Sequence, residues 1–103
     1  MDEIAANIIW TKKAADTFNS IIGYLYKEWS EKEVLSFINT TDITISKLSH
    51  YPEIGRLSIK RKNTRIFILN KHTTITYHFG SSKNQITILL FWNQRRNPKS
   101  FIY

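Results

Sequence analysis

The sequence has no cysteine and little glycine or proline: three glycines and two prolines stand among 103 residues. Without cysteine, neither a disulfide framework nor a thiolate metal site can form, and this absence fits a reducing compartment. A chain that is 42% hydrophobic and so poor in glycine and proline is neither disordered nor of low complexity. Its length suffices for one domain with its own core, and we expect residues 1–103 to form that single domain.

Long hydrophobic runs are also missing. No apolar stretch approaches the roughly 20 residues that are needed to span a bilayer. The N-terminus opens with the acidic pair Asp2 and Glu3, where a signal peptide would carry positive charge before an apolar run. We therefore expect a cytoplasmic protein with no membrane partner.

Acidic residues are absent from the C-terminal half. Residues 54–103 contain ten Lys or Arg and no acid, whereas residues 1–53 contain all eight acids and five Lys. The two halves therefore carry formal charges of +10 and −3, which give the net charge of +7. This asymmetry favours an anionic partner, either nucleic acid or an acidic protein segment. The alternative is a basic surface kept for solubility, although solubility does not require that every acid be excluded.

Hydrophobic periodicity predicts a strand and then two helices in the first half. The short apolar run from Ile4 to Trp10 indicates a strand, and Thr11 is a suitable N-cap for the first helix. Ser30 to Glu33 has the form of a capping box, which predicts the start of a second helix. Two helices with almost no linker predict an antiparallel hairpin.

Each helix has one apolar stripe. The stripe of the first helix consists of Ala14, Phe18, Ile21, Ile22, Leu25 and Trp29. The stripe of the second consists of Val34, Phe37, Ile38, Thr41, Ile45 and Leu48, with Thr44 and Ser46 on the other side. Tyr51 and Pro52 end this helix, and residues 52–55 form a turn.

Beyond the turn the period changes from 3.6 to 2, which indicates strands. Leu57 and Ile59 alternate with polar residues, and residues 65–69 are apolar on both faces, as expected of a central strand. Two further strands are predicted over residues 73–79 and 86–92. The predicted fold is α+β in the order β-α-α-β-β-β-β, with the helical hairpin packed on one face of a mainly antiparallel sheet.

The residue sets of common active sites are missing. His50, His72 and His78 lack metal-ligand spacing, and there is no glycine-rich phosphate loop. The acid-free half offers no carboxylate to orient a catalytic base. We therefore expect neither a metal nor another cofactor.

Arginine and lysine remain as candidates, because guanidinium groups bind phosphates or carboxylates in a bidentate manner. Hairpin connections between the strands could bring Arg65 near Arg95. We interpret residues 60–62 as a solvated turn. The basic residues around the first two strands of the sheet and after its last strand are Arg56, Lys60, Arg61, Lys62, Arg65, Arg95, Arg96 and Lys99. Aromatic residues that could stack on bases are Tyr77, Trp92, Phe101 and Tyr103.

The order and spacing of several motifs resemble the RelE/ParE toxin superfamily over nearly the whole chain. These motifs are Pro52-x-x-Gly55-Arg56, Arg65 at a strand start, the Tyr77 strand and the closing pair of Arg95 and Arg96. The resemblance implies the toxin of a type II toxin–antitoxin system, which a co-encoded antitoxin wraps and neutralises. It further implies growth inhibition and plasmid stabilisation.

Within this superfamily, RelE-like members cleave mRNA on the ribosome, whereas ParE-like members poison DNA gyrase. The RelE-like pattern implies two lysines where an ungapped reading finds Arg56 and Ser58. Its C-terminal Tyr falls near Phe101, and Asn93 replaces the His that often precedes the closing arginines. This incomplete set favours a ParE-like toxin.

Two alternatives stay open at this point. With a small register shift, Lys60 and Tyr103 restore the set of a metal-independent, RelE-like endoribonuclease in which Arg56, Arg65 and Arg95 neutralise the scissile phosphate. The chain could also be an inactive module that captures an acidic peptide or RNA. For a ParE-like toxin, we expect target or antitoxin binding by a C-terminal set: Arg95, Arg96, Lys99, Phe101 and Tyr103.

Overall fold

The computed structural model describes residues 4–95, which form two helices and a five-stranded sheet in the predicted order. The elements are β1 (Asn7–Trp10), α1 (Lys12–Glu28), α2 (Glu31–His50), β2 (Arg56–Leu57), β3 (Thr64–Asn70), β4 (Thr73–Gly80) and β5 (Gln85–Asn93), with a 3-10 turn (Ser81–Lys83) before β5. Within these residues, neither helix is long and apolar enough to cross a membrane.

The sheet is mixed and mainly antiparallel, which confirms the predicted fold class. Its strand order is β1-β5-β4-β3-β2, with β1 parallel to β5 and every other neighbouring pair antiparallel. Both helices contribute to one core with the inner face of the sheet. The core includes Ala14, Ile21 and Leu25 of α1, Phe37 and Leu48 of α2, and Ile75, Tyr77, Ile86, Ile88 and Phe91 of β4 and β5.

Both predicted helix caps form. The Thr11 hydroxyl accepts the Ala14 N–H at 3.0 Å and donates to the Ile88 carbonyl at 2.9 Å, so this cap also ties the start of α1 to β5. The Ser30 hydroxyl accepts the Glu33 N–H at 3.2 Å. The Ser30 N–H donates to the Leu25 carbonyl at 3.0 Å, which is the C-terminal end of α1. Of the two contacts of a capping box, the one made by the Ser30 side chain is therefore present. The Glu33 carboxylate lies near Arg95.

Two predicted strands differ from the observed ones. β1 begins at Asn7, and Ile4 is exposed. β2 ends at Leu57 because the Ser58 hydroxyl accepts the N–H groups of Lys60 and Arg61, which turns the chain away from the sheet. The alternation of Leu57 and Ile59 is therefore not a strand pattern, and Ile59 is 95% exposed.

The burial pattern corrects three further expectations. Thr44 is buried, because residues 37, 41, 44 and 48 share one face of a helix with 3.6 residues per turn. Trp29 lies beyond the last residue of α1 and is half-exposed, so it is not part of the α1 stripe. β3 is a central strand only in its first half, since β2 pairs with Arg65 and Ile66 and leaves Ile68 exposed.

Candidate functional site

The loop that joins α2 to β2 is held against the sheet by Tyr77 and Arg65. The Tyr77 hydroxyl donates to the Pro52 carbonyl at 2.7 Å and accepts the Gly55 N–H at 3.0 Å. One guanidinium nitrogen of Arg65, Nη1, donates to the carbonyls of Gly55 at 2.7 Å and Glu53 at 3.0 Å. Arg65 and Tyr77 are direct cross-strand partners, so the β3–β4 register delivers both side chains to one loop.

Glycine is required in this loop by close approach. A Cβ atom at Gly55 would lie 2.8 Å from the Tyr77 hydroxyl oxygen, 2.9 Å from its Cε1 atom and 3.2 Å from the Arg65 Cβ. Atoms at the first two separations overlap, and the Tyr77 ring is fully buried. Gly55, Arg65 and Tyr77 therefore form one unit, which we call the loop lock.

Burial in the core keeps the Tyr77 phenol in its protonated form. Burial raises the pKa of the phenol above its ordinary value, and the hydrogen bond from the Gly55 N–H and the charge of Arg65 oppose this rise only in part. The phenol stays protonated at neutral pH and can donate to the Pro52 carbonyl. The suggestion that Tyr77 stacks on a base is wrong, because its ring lies in the core.

A pocket of about 180 Å³ lies beside the loop lock. Its lining is mainly polar and combines Arg65 with one carboxylate, one amide and one hydroxyl side chain. The lining residues are Glu53, Leu57, Asn63, Arg65, Phe79 and Ser81. Arg56 lies on the exposed edge strand β2, opposite Ile66. The pocket could hold a small anion, but Glu53 places a carboxylate in the same lining.

Arg95 lies in a second group of side chains at the other end of the sheet. Its guanidinium carbon is 4.5 Å from the centroid of the Trp29 ring, and its Nη2 atom is 3.8 Å from a carboxylate oxygen of Glu33. The side chain of Arg95 is only 18% exposed. Half-buried His72 lies close enough to this group for its pKa to be affected. Burial lowers the His72 pKa most, and the positive charges of Arg95 and Lys71 lower it further, whereas the negative charge of Glu33 raises it. We call Trp29, Glu33, His72 and Arg95 the tail anchor, because Arg95 follows the last strand of the sheet.

The structure does not bring Arg65 and Arg95 together. Arg65 pairs with Tyr77, whereas Asn93, two residues before Arg95, pairs with Thr73. Tyr77 and Thr73 are four residues apart on β4, which is roughly 13 Å along the strand. The suggested approach of the two arginines is therefore wrong: the register separates them by much of the length of the sheet.

Several predicted site residues lie outside the described range. Arg96, Lys99, Phe101 and Tyr103 belong to residues 96–103, so their contribution to a site stays a prediction. Trp92 is described: it pairs with Thr74 and lines a second, largely apolar pocket of about 200 Å³ together with His72 and Ile68. Among residues 4–95, no group of His, Asp and Glu could hold a metal ion.

Sequence reasoning missed the tail anchor. It assigned Trp29 to the α1 stripe and Glu33 to the capping box, and it treated His72 as an isolated histidine. The signal that pointed to Trp29 was its position directly before the Ser30 N-cap, which places it in the turn between the helices. No pattern in the sequence indicated that the end of β5 meets this turn.

Comparisons with known proteins agree with this architecture. A family model described as the ParE toxin of the type II toxin–antitoxin system parDE matches residues 8–98. The chain is similar in structure to a chain of the chromosomal ParDE toxin–antitoxin system from P. aeruginosa, with a TM-score of 0.74 at 17% identity, covering 88% of this chain and 98% of that one. It is also similar to a chain of the toxin–antitoxin complex RelBE2 from Mycobacterium tuberculosis, with a TM-score of 0.62 at 11% identity, covering 89% and 94%. The search of curated proteins found no match.

Proposed function

Because the chain belongs to the ParE toxin family of type II toxin–antitoxin systems, we propose that it inhibits bacterial growth by acting on DNA gyrase. Gyrase is the target that ParE-like family membership implies. One observation favours gyrase over ribosome-bound mRNA as the target: Arg65 and Arg95, which an RNase site would place around one phosphate, lie apart in this fold. Arg65 holds the loop lock through backbone carbonyls, and Arg95 contacts Trp29 some distance away. A phosphoryl-transfer site needs its charged groups around one phosphate.

The experiment that tests the target uses the purified protein in two assays. Gyrase supercoiling should be inhibited, and mRNA on ribosomes should stay intact. A different result would identify the protein as a RelE-like endoribonuclease: the wild type cuts mRNA and leaves supercoiling unaffected, and Arg65→Ala no longer cuts. Melting curves of Arg65→Ala must accompany the cleavage assay, because this substitution also removes two hydrogen bonds of the loop lock.

Target contact is proposed for the C-terminal set that the sequence predicts, namely Arg95, Arg96, Lys99, Phe101 and Tyr103. The last four of these follow the tail anchor in the chain and lie outside the described residues. The double variant Arg96→Ala/Lys99→Ala should lose gyrase inhibition. The matched control is Lys27→Ala/Lys32→Ala, which removes the same charge from exposed positions on the helices and should inhibit as the wild type does. Equal inhibition by both variants would contradict the assignment.

An antitoxin partner is proposed on two grounds. Both similar structures come from toxin–antitoxin systems, and the acid-free half suits an acidic segment. Expression of the chain alone should arrest bacterial growth, and co-expression of the small neighbouring gene should restore it. Association with that gene product should slow steeply with salt, because complementary charge chiefly speeds encounter. Normal growth at verified soluble expression would contradict the toxin function.

A further inference from the structure

The connection between β2 and β3, residues 58–63, has a defined conformation although half of its side chains are cationic. The Ser58 N–H donates to the Thr64 carbonyl at 2.8 Å, which closes the loop at its base. The Ser58 hydroxyl accepts the N–H groups of Lys60 and Arg61, each at 3.1 Å. Asn63 takes a positive φ of 57°, a conformation that asparagine tolerates better than most residues. We call residues 58–63 the basic loop.

The basic loop is also fastened to the sheet. The Nδ1 atom of His78 on β4 lies 2.7 Å from the Asn63 carbonyl oxygen. The hydroxyl of buried Thr64 donates to the Lys62 carbonyl at 3.2 Å. These bonds come from β3 and β4, so the loop backbone needs little further ordering when a ligand binds.

The basic loop is exposed beyond Ser58. Residues 59–63 are all exposed, and Ile59 at 95% is the most exposed of the large apolar side chains among residues 4–95. Lys60, Arg61 and Lys62 follow it directly, and the loop contains no acid. The loop therefore combines one exposed aliphatic residue with three exposed cationic residues on a hydrogen-bonded turn.

We propose that the basic loop is a binding site for duplex DNA. Three cations in sequence suit the phosphate backbone, and an exposed aliphatic side chain among cations suits insertion at a base step in a groove. The loop has no aromatic residue, whereas binders of single strands rely on aromatic stacking. An acidic peptide would instead be held in a groove or by pairing with a strand, whereas residues 59–63 are exposed and belong to no strand. This proposal does not rest on gyrase as the target.

The test is fluorescence anisotropy of a short labelled DNA duplex with the full chain, over salt from about 50 to 200 mM. Lys60→Ala/Lys62→Ala should weaken binding and lower the slope of log K against log salt by about two, because each lost phosphate contact removes nearly one. Ile59→Ala should weaken binding about fourfold for each methylene that becomes buried, with the slope unchanged. All three substituted positions are exposed, so the variants should fold.

The matched control is Lys27→Ala/Lys32→Ala, which removes an equal charge from the helices and should change the slope by much less than two. Equal slopes for the two double variants would mean that net charge alone drives binding and would overturn the proposal. So would unchanged binding in Lys60→Ala/Lys62→Ala, or no binding of the duplex by the wild type. Polyglutamate of matched charge should displace the duplex only weakly. If it binds the basic loop more tightly than DNA does, the site is for an acidic protein and the proposal is wrong.

Discussion

The loop lock and the tail anchor both depend on an arginine, but they hold it in different ways. Arg65 donates to two backbone carbonyls, and its cross-strand partner Tyr77 bonds to the same loop from inside the core. Arg95 has a half-exposed tryptophan beneath it and a half-exposed carboxylate at 3.8 Å. Its Nε atom is buried without a hydrogen-bond partner among the described residues.

This difference indicates what each arginine contributes. The loop lock combines directional hydrogen bonds with close packing at Gly55, so substitutions within it should destabilise the fold strongly. The tail anchor relies on a cation–π contact and a long ion pair. Both involve half-exposed side chains, and such interactions are weaker near water than in a buried site. Arg95 should therefore contribute less to stability than the loop lock does. The predictions below test this contrast.

The largest effect is expected from Gly55→Ala. The added Cβ would overlap the buried Tyr77 ring and hydroxyl, so the loop or the ring must move. We expect a loss of about 2 to 3 kcal/mol in the free energy of unfolding, measured by urea denaturation. Gly23→Ala is the matched control, since a Cβ at Gly23 in α1 meets nothing within 4 Å. That variant should be more stable than the wild type by about 0.5–1 kcal/mol.

Tyr77→Phe should have the next largest effect. It keeps the ring and removes the hydroxyl, which leaves the N–H of buried Gly55 without its partner. We expect a loss of about 1 to 2 kcal/mol by the same measurement. A variant as stable as the wild type would show that the loop is held by Arg65 alone.

The Tyr77 hydroxyl should also produce a pH dependence. The pKa of Tyr77 is raised in the folded protein, so the folded state keeps its proton above pH 10 while the unfolded chain releases it. The stability that the protonated phenol contributes is fully present below the pKa of Tyr77 in the unfolded chain. It is lost as the pH rises through the pKa of Tyr77 in the folded protein. The wild type should therefore lose stability above about pH 10 more steeply than Tyr77→Phe does.

A smaller effect is expected from Arg95→Ala. Loss of the contact with Trp29 should cost about 1 kcal/mol. Arg95→Lys should keep part of this, because an ammonium also binds an aromatic face but lacks the flat guanidinium plane. Trp29→Leu in the Arg95→Ala background should add little further loss if the two side chains act as a pair. Fully additive losses would contradict the pairing.

The smallest expected effect is on His72. Burial and the charges of Arg95 and Lys71 hold its pKa below the ordinary value. Arg95→Gln should raise the His72 pKa, and Glu33→Gln should lower it further. Titration of the imidazole by NMR measures both shifts. Identical titration curves in the three proteins would mean that the tail anchor is not assembled in solution.

The sequence determined the elements and their order through local physics. The helical stripes, the Thr11 and Ser30 caps and the stop at Tyr51 follow from side-chain periodicity and from local hydrogen bonds, which depend on near neighbours. These features sufficed for the α+β order and the helical hairpin. The family motifs were also visible, and the structure explains three of their residues as the loop lock.

Only the tertiary structure decided where the arginines lie relative to one another. Strand register depends on pairing between distant segments, and a shift of two residues leaves the same hydrophobic pattern on the same face. The sequence was therefore compatible with Arg65 and Arg95 as neighbours. The observed register separates them, because Arg65 pairs with Tyr77 whereas Asn93, just before Arg95, pairs with Thr73 four residues away on β4. The contact between Trp29 and Arg95 also depends on tertiary structure. It joins residues 66 positions apart, and only the packing of β5 against the helices brings them together.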